Sequence, residues 1–223
     1  MISLADRTMD TDLRITEIFY SLQGESRTSG MPTTFVRLTG CPLRCQYCDT
    51  SYAFNGGELL TIEEVLRAVD EFPAKYVTVT GGEPLAQTAC WKLLSSLCDM
   101  GYEVSLETSG AIDTRDVDAR ISVVLDIKTP GSMEESRNLP ENIDHLKPGD
   151  QVKFVICDRL DYEWAKSKVT AYGLGARVSD VLFSPSCDQL DAVELADWIL
   201  ADGLAVRFQV QLHRILWGDK AGV

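Results

Sequence analysis

The sequence has few basic residues and no long apolar run. Its 34 Asp and Glu residues outnumber its 21 Lys and Arg residues, so the formal net charge is −13. Proteins that bind nucleic acid or anionic lipid neutralise phosphates with clustered Lys and Arg, and no basic stripe interrupts this acidic sequence. No apolar run approaches the roughly 20 residues that span a bilayer. We therefore expect no nucleic-acid or membrane partner, and favour a small-molecule substrate in a locally basic pocket.

The sequence also lacks a secretory signal. Residues 1–14, MISLADRTMDTDLR, are too polar for a signal peptide, and residues 1–12 are expected to form a flexible N-terminal tail. Seven cysteines are an odd number, so we expect free thiols and a reducing, cytoplasmic location. Four of these cysteines lie apart from one another and are predicted to be structural: Cys90, Cys98, Cys157 and Cys187.

Short apolar runs alternate with amphipathic stretches, and no boundary divides the 223 residues into two domains. Strands are predicted at 33–38, 76–80, 102–108, 121–127, 151–156, 180–184 and 205–212, and helices at 61–72, 88–100, 159–173 and 189–203. Thr61 followed by Glu64 predicts a capping box at one helix start. Residues 129–150 have no clear period and are predicted to be a loop with a short helical turn. The pattern is typical of one α/β domain with a mainly parallel sheet, open or curled into a barrel.

Polar groups follow most of the predicted strands. They are Cys41, Thr80 to Glu83, Glu107 with Thr108, Lys128, Ser184 to Ser186, and Gln211 with His213. The carboxyl ends of parallel strands meet at one edge of a sheet or barrel, and ligands bind at that edge. Any one of these groups is explained by the polarity of loops, but six groups at one edge favour a functional site.

Three cysteines are concentrated in GCPLRCQYCDTSYAF, residues 40–54, with the spacing C-x3-C-x2-C. Tetrahedral zinc and a closed iron–sulfur cluster both need four ligands. A fourth ligand would have to come from His145, His213 or a distant cysteine. The remaining interpretation is a [4Fe–4S] cluster bound by three thiolates, with one iron free for an exchangeable ligand. Interleaved Gly, Pro, Arg and Gln suit a loop around a metal group better than a packed strand.

The cysteine spacing, with Tyr47 before the last cysteine, resembles the signature of radical S-adenosylmethionine (SAM) enzymes. TGGEPL at 80–85 resembles that superfamily's Gly-Gly-Glu motif, in which glycines let the backbone approach the amino group of SAM. A lone Gly-Gly-Glu motif is weak, but the cysteine motif after one strand together with TGGEP after the next is a specific signal. The resemblance implies an incomplete (β/α)6-type barrel that spans residues 1–223.

Further segments resemble the 7-carboxy-7-deazaguanine synthases. They are EIFYSLQGES before the cysteine loop, FVRLTGC around Arg37, LETSG at 106–110 and QVQLHRILWGD at 209–219. The family more often has LQGEG where this sequence has LQGES. The resemblance implies a homodimer, a flavodoxin or ferredoxin electron donor, and three cofactors: a [4Fe–4S] cluster, SAM and Mg²⁺.

The resemblance also implies roles for individual residues. The cluster ligands are Cys41, Cys45 and Cys48, and Thr50 supplies an oxygen to Mg²⁺. SAM is bound by Tyr47, Cys48, Asp49, Gly82, Glu107, Lys128, Ser184, Pro185 and Ser186. The substrate is bound by Leu22, Gln23, Gly24, Glu25, Arg37, Thr80 and His213. Residue chemistry agrees for Arg37, whose planar guanidinium suits a carboxylate, and for Thr50, whose hard oxygen suits Mg²⁺.

The implied reaction belongs to queuosine biosynthesis, a tRNA modification pathway. A 5′-deoxyadenosyl radical takes a hydrogen atom from 6-carboxy-5,6,7,8-tetrahydropterin, the ring contracts, SAM is regenerated, and ammonia is lost to give 7-carboxy-7-deazaguanine. Two alternatives stay open. The first is a radical SAM activase that generates a glycyl radical on a partner enzyme, which would need an open groove. The second is a non-catalytic iron–sulfur or zinc module, which would leave TGGEP unexplained.

Overall fold

The computed structural model of the chain describes residues 11–218, 220, 222 and 223. These residues form a nine-stranded sheet with the order β3-β1-β2-β4-β5-β6-β7-β8-β9. Among the described residues β3 and β9 pair on one side only, so the sheet curls without closing. The predicted α/β fold, an incomplete barrel, is confirmed. Within the described ranges, no helix is long and apolar enough to cross a bilayer.

Seven strands of the sheet run parallel; six match predicted strands, and the seventh holds only two residues of the strand predicted over 205–212. They are β2 (Pro32–Leu38), β4 (Tyr76–Gly81), β5 (Glu103–Thr108), β6 (Ser122–Asp126), β7 (Gln151–Ile156), β8 (Asp180–Pro185) and β9 (Arg207–Phe208). Because they are parallel, their carboxyl ends share one edge, which is where the predicted site residues follow them.

Two antiparallel strands were not predicted from the sequence. β1 (Asp12–Leu22) forms a hairpin with β2, and β3 (Glu58–Thr61) pairs with the other side of β1. Only Leu13 and Ile15 of β1 are buried, and the rest of the strand is partly exposed on both faces. Its sequence therefore lacks the sustained alternation that marks a half-buried strand. Residues 1–10 of the predicted tail lie outside the described residues, whereas Asp12 already belongs to β1.

The four predicted helices are present with slightly shorter bounds. They are α1 (Ile62–Asp70), α2 (Ala89–Asp99), α3 (Arg159–Ala171) and α5 (Ala192–Asp202), and a short α4 (Leu174–Arg177) follows α3. At α1, the Thr61 hydroxyl accepts from the Glu64 N–H while the Glu64 carboxylate accepts from the Thr61 N–H, so the predicted capping box is confirmed. The predicted loop at 129–150 holds three short 3₁₀ turns, at Pro130–Ser132, Glu135–Arg137 and Pro140–His145.

The prediction of a strand over 205–212 was largely wrong. Only Arg207–Phe208 pairs with β8, and α6 occupies Leu212–Trp217. The Gln209 side chain accepts from the Ser26 N–H at 2.7 Å and donates to the Ser26 carbonyl at 2.8 Å. The Leu212 N–H then donates to the Gly24 carbonyl at 3.0 Å. These bonds draw the chain off the sheet and place α6 over the loop that follows β1.

The main core lies between the sheet and the helices on one of its faces. Apolar strand residues such as Val77, Val79 and Leu106 are fully buried against helix residues such as Leu93 and Leu97. The opposite face of the parallel strands, near their carboxyl ends, carries the polar residues and borders a cavity. Of the four cysteines predicted to be structural, Cys90 and Cys157 are buried and Cys98 is half-buried. Cys187 is exposed in the wall of the cavity.

Candidate active site

The predicted site residues come together around one cavity at the carboxyl ends of the parallel strands. All nineteen line it: Leu22, Gln23, Gly24, Glu25, Arg37, Cys41, Cys45, Tyr47, Cys48, Asp49, Thr50, Thr80, Gly82, Glu107, Lys128, Ser184, Pro185, Ser186 and His213. Lys128 lies near Tyr47 of the cysteine loop, and Gln46 of the loop is joined to Ser186 through Gln189, so these segments form one end of this cavity. The 22–25 loop, Glu107 and His213 form the other end, where Gln23 contacts Glu107 and Glu25 lies near His213.

The cysteine loop leaves β2 and is fixed by its own polar residues. The Arg44 guanidinium donates to the carbonyls of Cys41 at 2.7 Å and Leu43 at 2.6 Å, and it stacks on the Phe54 ring at 4.3 Å. Gln46 donates to the Gly131 carbonyl at 2.9 Å, which ties the loop to the segment after β6. The three thiols are half-buried and border the cavity. The interleaved polar residues therefore shape the loop and leave the thiols for a ligand.

The environment of the thiols disfavours their charged form in the absence of a metal group. Burial raises the pKa of Cys41 and Cys48, and raises the pKa of Cys45 to about 11. The Lys128 ammonium opposes this shift at each thiol. Because thiolates are the form that binds metals, a cationic group in the loop is needed to deprotonate them fully.

The two glycines of TGGEP are required by packing within the protein. A Cβ on Gly82 would lie 2.1 Å from the Gly40 carbonyl oxygen and 2.9 Å from the Cys41 Cβ atom. Gly81 has φ of 145°, and a Cβ there would lie 2.2 Å from the Leu38 carbonyl oxygen. The end of β4 thus lies directly against the end of β2, which carries the first cysteine. The close approach of β4 to β2 therefore explains the two glycines of the motif, in addition to the predicted approach of SAM to their backbone.

The glutamate of TGGEP lies in the protein interior and is fully buried. Its carboxylate accepts hydrogen bonds from the Thr108 hydroxyl at 2.9 Å, the Ser109 N–H at 2.7 Å and the Leu85 N–H at 3.1 Å. Burial raises the pKa of Glu83, against these hydrogen bonds. Glu83 therefore holds the ends of β4 and β5 together at the edge where the cavity lies.

Near the cysteine loop, the cavity wall holds polar atoms without a partner. The Lys128 ammonium is paired with Asp126 at 2.9 Å and lies 5.8 Å from the centre of the Tyr47 ring. The other Asp126 carboxylate oxygen, the Tyr47 hydroxyl and the Ser184 hydroxyl are buried, and none of them hydrogen-bonds to a described residue. Buried polar groups are nearly always hydrogen-bonded. These three atoms therefore indicate where a polar ligand completes the protein.

At the other end, a connected polar network joins β4, β5 and the loop after β1. The Thr80 hydroxyl donates to Glu107 at 2.9 Å. The Gln23 amide donates to the Thr78 hydroxyl at 3.0 Å and approaches Glu107 at 3.4 Å, and its oxygen accepts from the Glu25 N–H at 3.1 Å. Burial raises the pKa of Glu107, and the nearby Glu25 carboxylate adds to the shift. Glu107 thus contacts Thr80 and Gln23, two residues predicted to bind substrate.

The position of the His213 side chain depends on Gly24, the glycine of LQGE. A Cβ on Gly24 would lie 2.0 Å from the His213 Nδ1 atom, so a larger residue there would displace the imidazole. Burial lowers the pKa of His213, although the carboxylates of Glu25 and Asp49 oppose the shift. The imidazole is therefore neutral at pH 7 and presents one donor and one acceptor nitrogen to its surroundings.

Arg37 and Thr50 each have a carboxylate partner. The Arg37 Nε group pairs with Glu17 at 2.7 Å, and the Tyr52 hydroxyl donates to the same Glu17 oxygen at 2.8 Å. In the described part of the chain, the terminal nitrogens of Arg37 make no hydrogen bond. The Thr50 hydroxyl donates to Asp49 at 2.8 Å. Burial acts to raise the pKa of Asp49, but hydrogen bonds from Gln211 and Thr50 lower it.

Comparison with known proteins identifies the family. A radical SAM superfamily model matches residues 35–129. The chain is 43% identical over 215 residues to a 7-carboxy-7-deazaguanine synthase of Chlorobaculum tepidum. The alignment covers 95% of this chain and 97% of that relative. The chain belongs to the 7-carboxy-7-deazaguanine synthase family. A relative of the same name from Koribacter versatilis is 40% identical over 219 residues, covering 92% and 97% of the two chains.

A solved structure supports the fold independently of these sequences. The crystal structure of QueE from Escherichia coli superimposes with a TM-score of 0.74 and covers 90% of this chain and 94% of its own, at 23% identity. As a member of the 7-carboxy-7-deazaguanine synthase family, the chain is a radical SAM enzyme that carries a [4Fe–4S] cluster and uses SAM.

The side chains fit these two cofactors. Among the described residues, no three His, Cys, Asp or Glu side chains are grouped as ligands of a single metal ion. In a [4Fe–4S] cluster each cysteine binds a different iron, so the three thiols of the loop need not converge on one point. The unpartnered carboxylate oxygen of Asp126 and the unpartnered hydroxyls of Tyr47 and Ser184 are able to hydrogen-bond to polar groups of SAM, which has hydroxyl, amino and carboxylate groups. The cavity wall and the loop therefore suit the cofactors that the 7-carboxy-7-deazaguanine synthase family uses.

Sequence reasoning missed several residues of the cavity region, three of which are charged and shape the site. Asp126 and Lys153 line the cavity from β6 and β7, and Glu17 holds Arg37 from β1. In QVKFVI and SVVLD, a charged residue interrupts an otherwise apolar buried strand. Because successive strand residues point to opposite faces, such a charge must face a polar space. That signal was present for Lys153 and Asp126, whereas Glu17 lies on a strand that was itself not predicted.

Proposed function

We propose that this chain converts 6-carboxy-5,6,7,8-tetrahydropterin to 7-carboxy-7-deazaguanine with loss of ammonia, a step of queuosine biosynthesis. The observation that carries the proposal is 43% identity over nearly the whole chain to a relative with that name. The cavity supports it, because a cysteine loop at one end faces a network of hydrogen-bonding side chains at the other. When bound, the cluster and SAM supply the hydrogen-atom abstraction that begins the reaction.

The residues near the cysteine loop are proposed to orient SAM. Lys128 provides a buried positive charge for a carboxylate, and Gly82 exposes its backbone beside Cys41. Asp126 and Ser184 offer one unpartnered acceptor and one hydroxyl to ribose or amino groups. Tyr47, Asp49, Pro185 and Ser186 complete this wall. Burial at this end also excludes water from the reacting atoms.

The polar network at the other end is proposed to bind the pterin ring. Glu25 and Glu107 face the cavity, and Thr80 orients Glu107. Both ends of the Gln23 amide are already bonded within the protein, so we assign Gln23 the role of positioning these two carboxylates. Glu107 is accordingly reassigned from SAM to the substrate. His213, held over Gly24 and neutral, adds one donor and one acceptor.

The substrate carboxylate is proposed to bind between Arg37 and Mg²⁺. Glu17 fixes the Nε side of Arg37, which leaves the planar pair of terminal nitrogens for a bidentate contact. Glu17 also offsets the positive charge of Arg37, so a second cation is needed to balance a bound carboxylate. Mg²⁺ prefers hard oxygen ligands and retains several waters, and the Thr50 hydroxyl beside Asp49 suits it.

Partners and location are proposed from separate observations. A radical SAM enzyme needs a one-electron donor, for which we propose a flavodoxin or ferredoxin. Ile215, Leu216 and Trp217 of α6 are exposed together, which supports a homodimer that covers them. The cysteines of the chain form no disulfide among the residues described, which supports a cytoplasmic location.

The proposed function is tested by product formation. The protein, reconstituted anaerobically with iron and sulfide, is incubated with SAM, dithionite, Mg²⁺ and the carboxytetrahydropterin. Formation of 7-carboxy-7-deazaguanine, detected by mass spectrometry, is expected. Glycyl radical on an added partner enzyme without this product would support an activase, and one tightly bound zinc per chain without iron uptake would support a binding module. Either result would contradict the proposal.

Arg37→Ala should weaken substrate binding and leave SAM binding intact. Loss of a charge-assisted bidentate contact corresponds to about 1.5–3 kcal/mol, or roughly a 10- to 150-fold higher Kd for the pterin. Equilibrium binding of substrate and of SAM to the reconstituted variant measures both quantities. Arg177→Ala is the control, since Arg177 lies outside the cavity and forms an exposed pair with Asp144. Substrate affinity equal to that of the wild type would exclude the assigned role of Arg37.

A further inference from the structure

Lys153 is a charged side chain within the cavity to which the function above gives no role. It lies in the middle of β7, a strand whose neighbouring residues are apolar or buried. Its ammonium is 2.7 Å from the Glu25 carboxylate, and the two side chains are 12% and 14% exposed. The pair joins β7 to the loop after β1, across 128 positions of sequence. Lys153 therefore reaches across the cavity wall to the loop that carries the LQGE motif.

The ammonium of Lys153 is kept charged by its surroundings. Burial alone would lower the pKa of Lys153, but the carboxylates of Glu25, Asp126 and Glu107 outweigh burial and raise it. A buried ion pair of this kind does little for stability compared with apolar residues of similar volume. A strand such as β7 could bury an apolar residue at this position instead. The charge is therefore better explained by a requirement of the cavity than by one of the core.

The pair is also fixed from the side of Glu25. The Glu25 N–H donates to the Gln23 side chain at 3.1 Å. The two residues that follow Glu25 are held by Gln209 and Gln151, whose side-chain oxygens accept from the Ser26 N–H at 2.7 Å and the Arg27 N–H at 2.6 Å. The backbone of the loop is thus anchored on both sides of Glu25. Among the described residues, the hydrogen bond to the carboxylate itself comes from Lys153.

We propose that Lys153 is a positioning residue for substrate recognition, which holds the Glu25 carboxylate and aims it into the cavity. In that state Glu25 accepts hydrogen bonds from adjacent N–H groups of the substrate ring, such as the ring N–H and amino group of a 2-amino-4-oxopyrimidine. The proposal rests on the function proposed above. It assigns Lys153 no contact with the reacting atoms.

The charges around Lys153 explain why the substrate ring would be recognised by the pair of Glu25 and Lys153. The Lys153 ammonium lies near the carboxyl groups of Glu25, Asp126 and Glu107, and burial raises the pKa of Glu107. The ion pair of Glu25 and Lys153 carries no net charge. A neutral ring edge with two adjacent donors is complementary to such a site. Without Lys153, the carboxyl groups of Glu25 and Glu107 would share a partly buried space, and the Glu25 carboxylate would lose the ion pair that holds it.

The role is tested by substrate affinity in variants of Lys153. Lys153→Met, Lys153→Gln and Lys153→Arg are reconstituted with the cluster and SAM, and binding of the carboxytetrahydropterin is measured anaerobically. We expect both neutral variants to raise Kd and KM for the pterin at least 30-fold, with SAM affinity within twofold of wild type. Lys153→Arg should recover affinity to within fivefold, because it retains the charge. Lys147→Met removes a lysine from a pair with Asp150 outside the cavity and is the matched control.

A double-variant cycle separates this role from a general loss of structure. If Lys153 acts through Glu25, Lys153→Met should have less than a threefold effect in a Glu25→Gln background. Effects that multiply would overturn the proposal, as would a neutral variant that keeps SAM binding and wild-type KM for the pterin. Wild-type turnover is measured in parallel. If the wild type makes product and Lys153 variants bind substrate normally, this role alone fails, whereas a wild type that makes none overturns the proposed function and this role with it.

Discussion

Cys45→Ser is expected to abolish turnover. The cofactors carry the chemistry, so loss of one of three cluster thiolates should lower product formation by at least on the order of 1,000-fold. Serine keeps the size of the side chain but replaces a soft thiolate, which iron–sulfur clusters require, with a hydroxyl. The measurements are iron and sulfide content after anaerobic reconstitution, the visible absorption of the cluster, and the rate of SAM cleavage.

The matched control is Cys98→Ser. Cys98 is a half-buried cysteine of α2 that packs against the core and does not line the cavity. This variant should take up the same amount of iron as wild type and retain its activity within a few-fold. Full cluster content and SAM cleavage in Cys45→Ser would show that the loop does not ligate the cluster through this residue. The same experiment on Cys41 and Cys48 tests the other two assignments.

The cluster loop could be predicted from sequence because its chemistry is local. Three thiols within eight residues need no knowledge of the fold to be recognised as a metal site, and TGGEP follows the next parallel strand along the chain. The parallel strands were predicted for a related reason. Strands buried on both faces have nearly continuous apolar sequences, so β4, β6 and β8 stand out from the loops around them.

The rest of the site depends on contacts that sequence patterns do not reveal. β1 has mixed exposure, so neither the strand nor Glu17, which orients Arg37, was evident. The resemblance implied a SAM contact for Glu107, and the sequence does not reveal that its hydrogen-bond partners are Thr80 and Gln23, far away in sequence. α6 follows β9 only because Gln209 is bonded to the loop after β1. In each case, a hydrogen bond between distant residues decides which side chains meet.

The two glycines of TGGEP illustrate how a local motif acts through such a contact. They were predicted to admit SAM, and the structure adds that they admit the end of β2. The Gly82 N–H donates to the Leu38 carbonyl at 3.1 Å, and the Glu83 N–H donates to the Gly40 carbonyl at 2.8 Å. Since Cys41 follows Gly40 directly, these bonds fix the position of the first cluster ligand relative to the strand that carries Thr80. The motif therefore couples the cluster end of the cavity to the substrate end.

Gly82→Ala is accordingly expected to change the position of the cluster end of the cavity relative to the substrate end. The added methyl group would meet backbone atoms of Gly40 at 2.1 and 2.5 Å, and backbone cannot move aside as a flexible side chain does. Overpacking of this kind lowers the free energy of unfolding by about 1–3 kcal/mol. Its effect on turnover should be larger, because a misplacement of about 1 Å between reacting groups can lower the rate about 100-fold. Product formation per intact cluster, measured with SAM-cleavage rates and a denaturation curve, separates the two effects.

Gly149→Ala provides the matched control for this change. A Cβ at Gly149 would meet no atom within 4 Å, and this glycine does not have a positive φ. It should retain wild-type stability within about 0.5 kcal/mol, as surface substitutions usually do, and wild-type turnover. If Gly82→Ala lost only stability and kept full turnover per cluster, the contact between β4 and the cysteine loop would be structural alone. Loss of turnover in excess of the loss of folded protein is the result expected if Gly82 sets the distance between the cluster and the substrate.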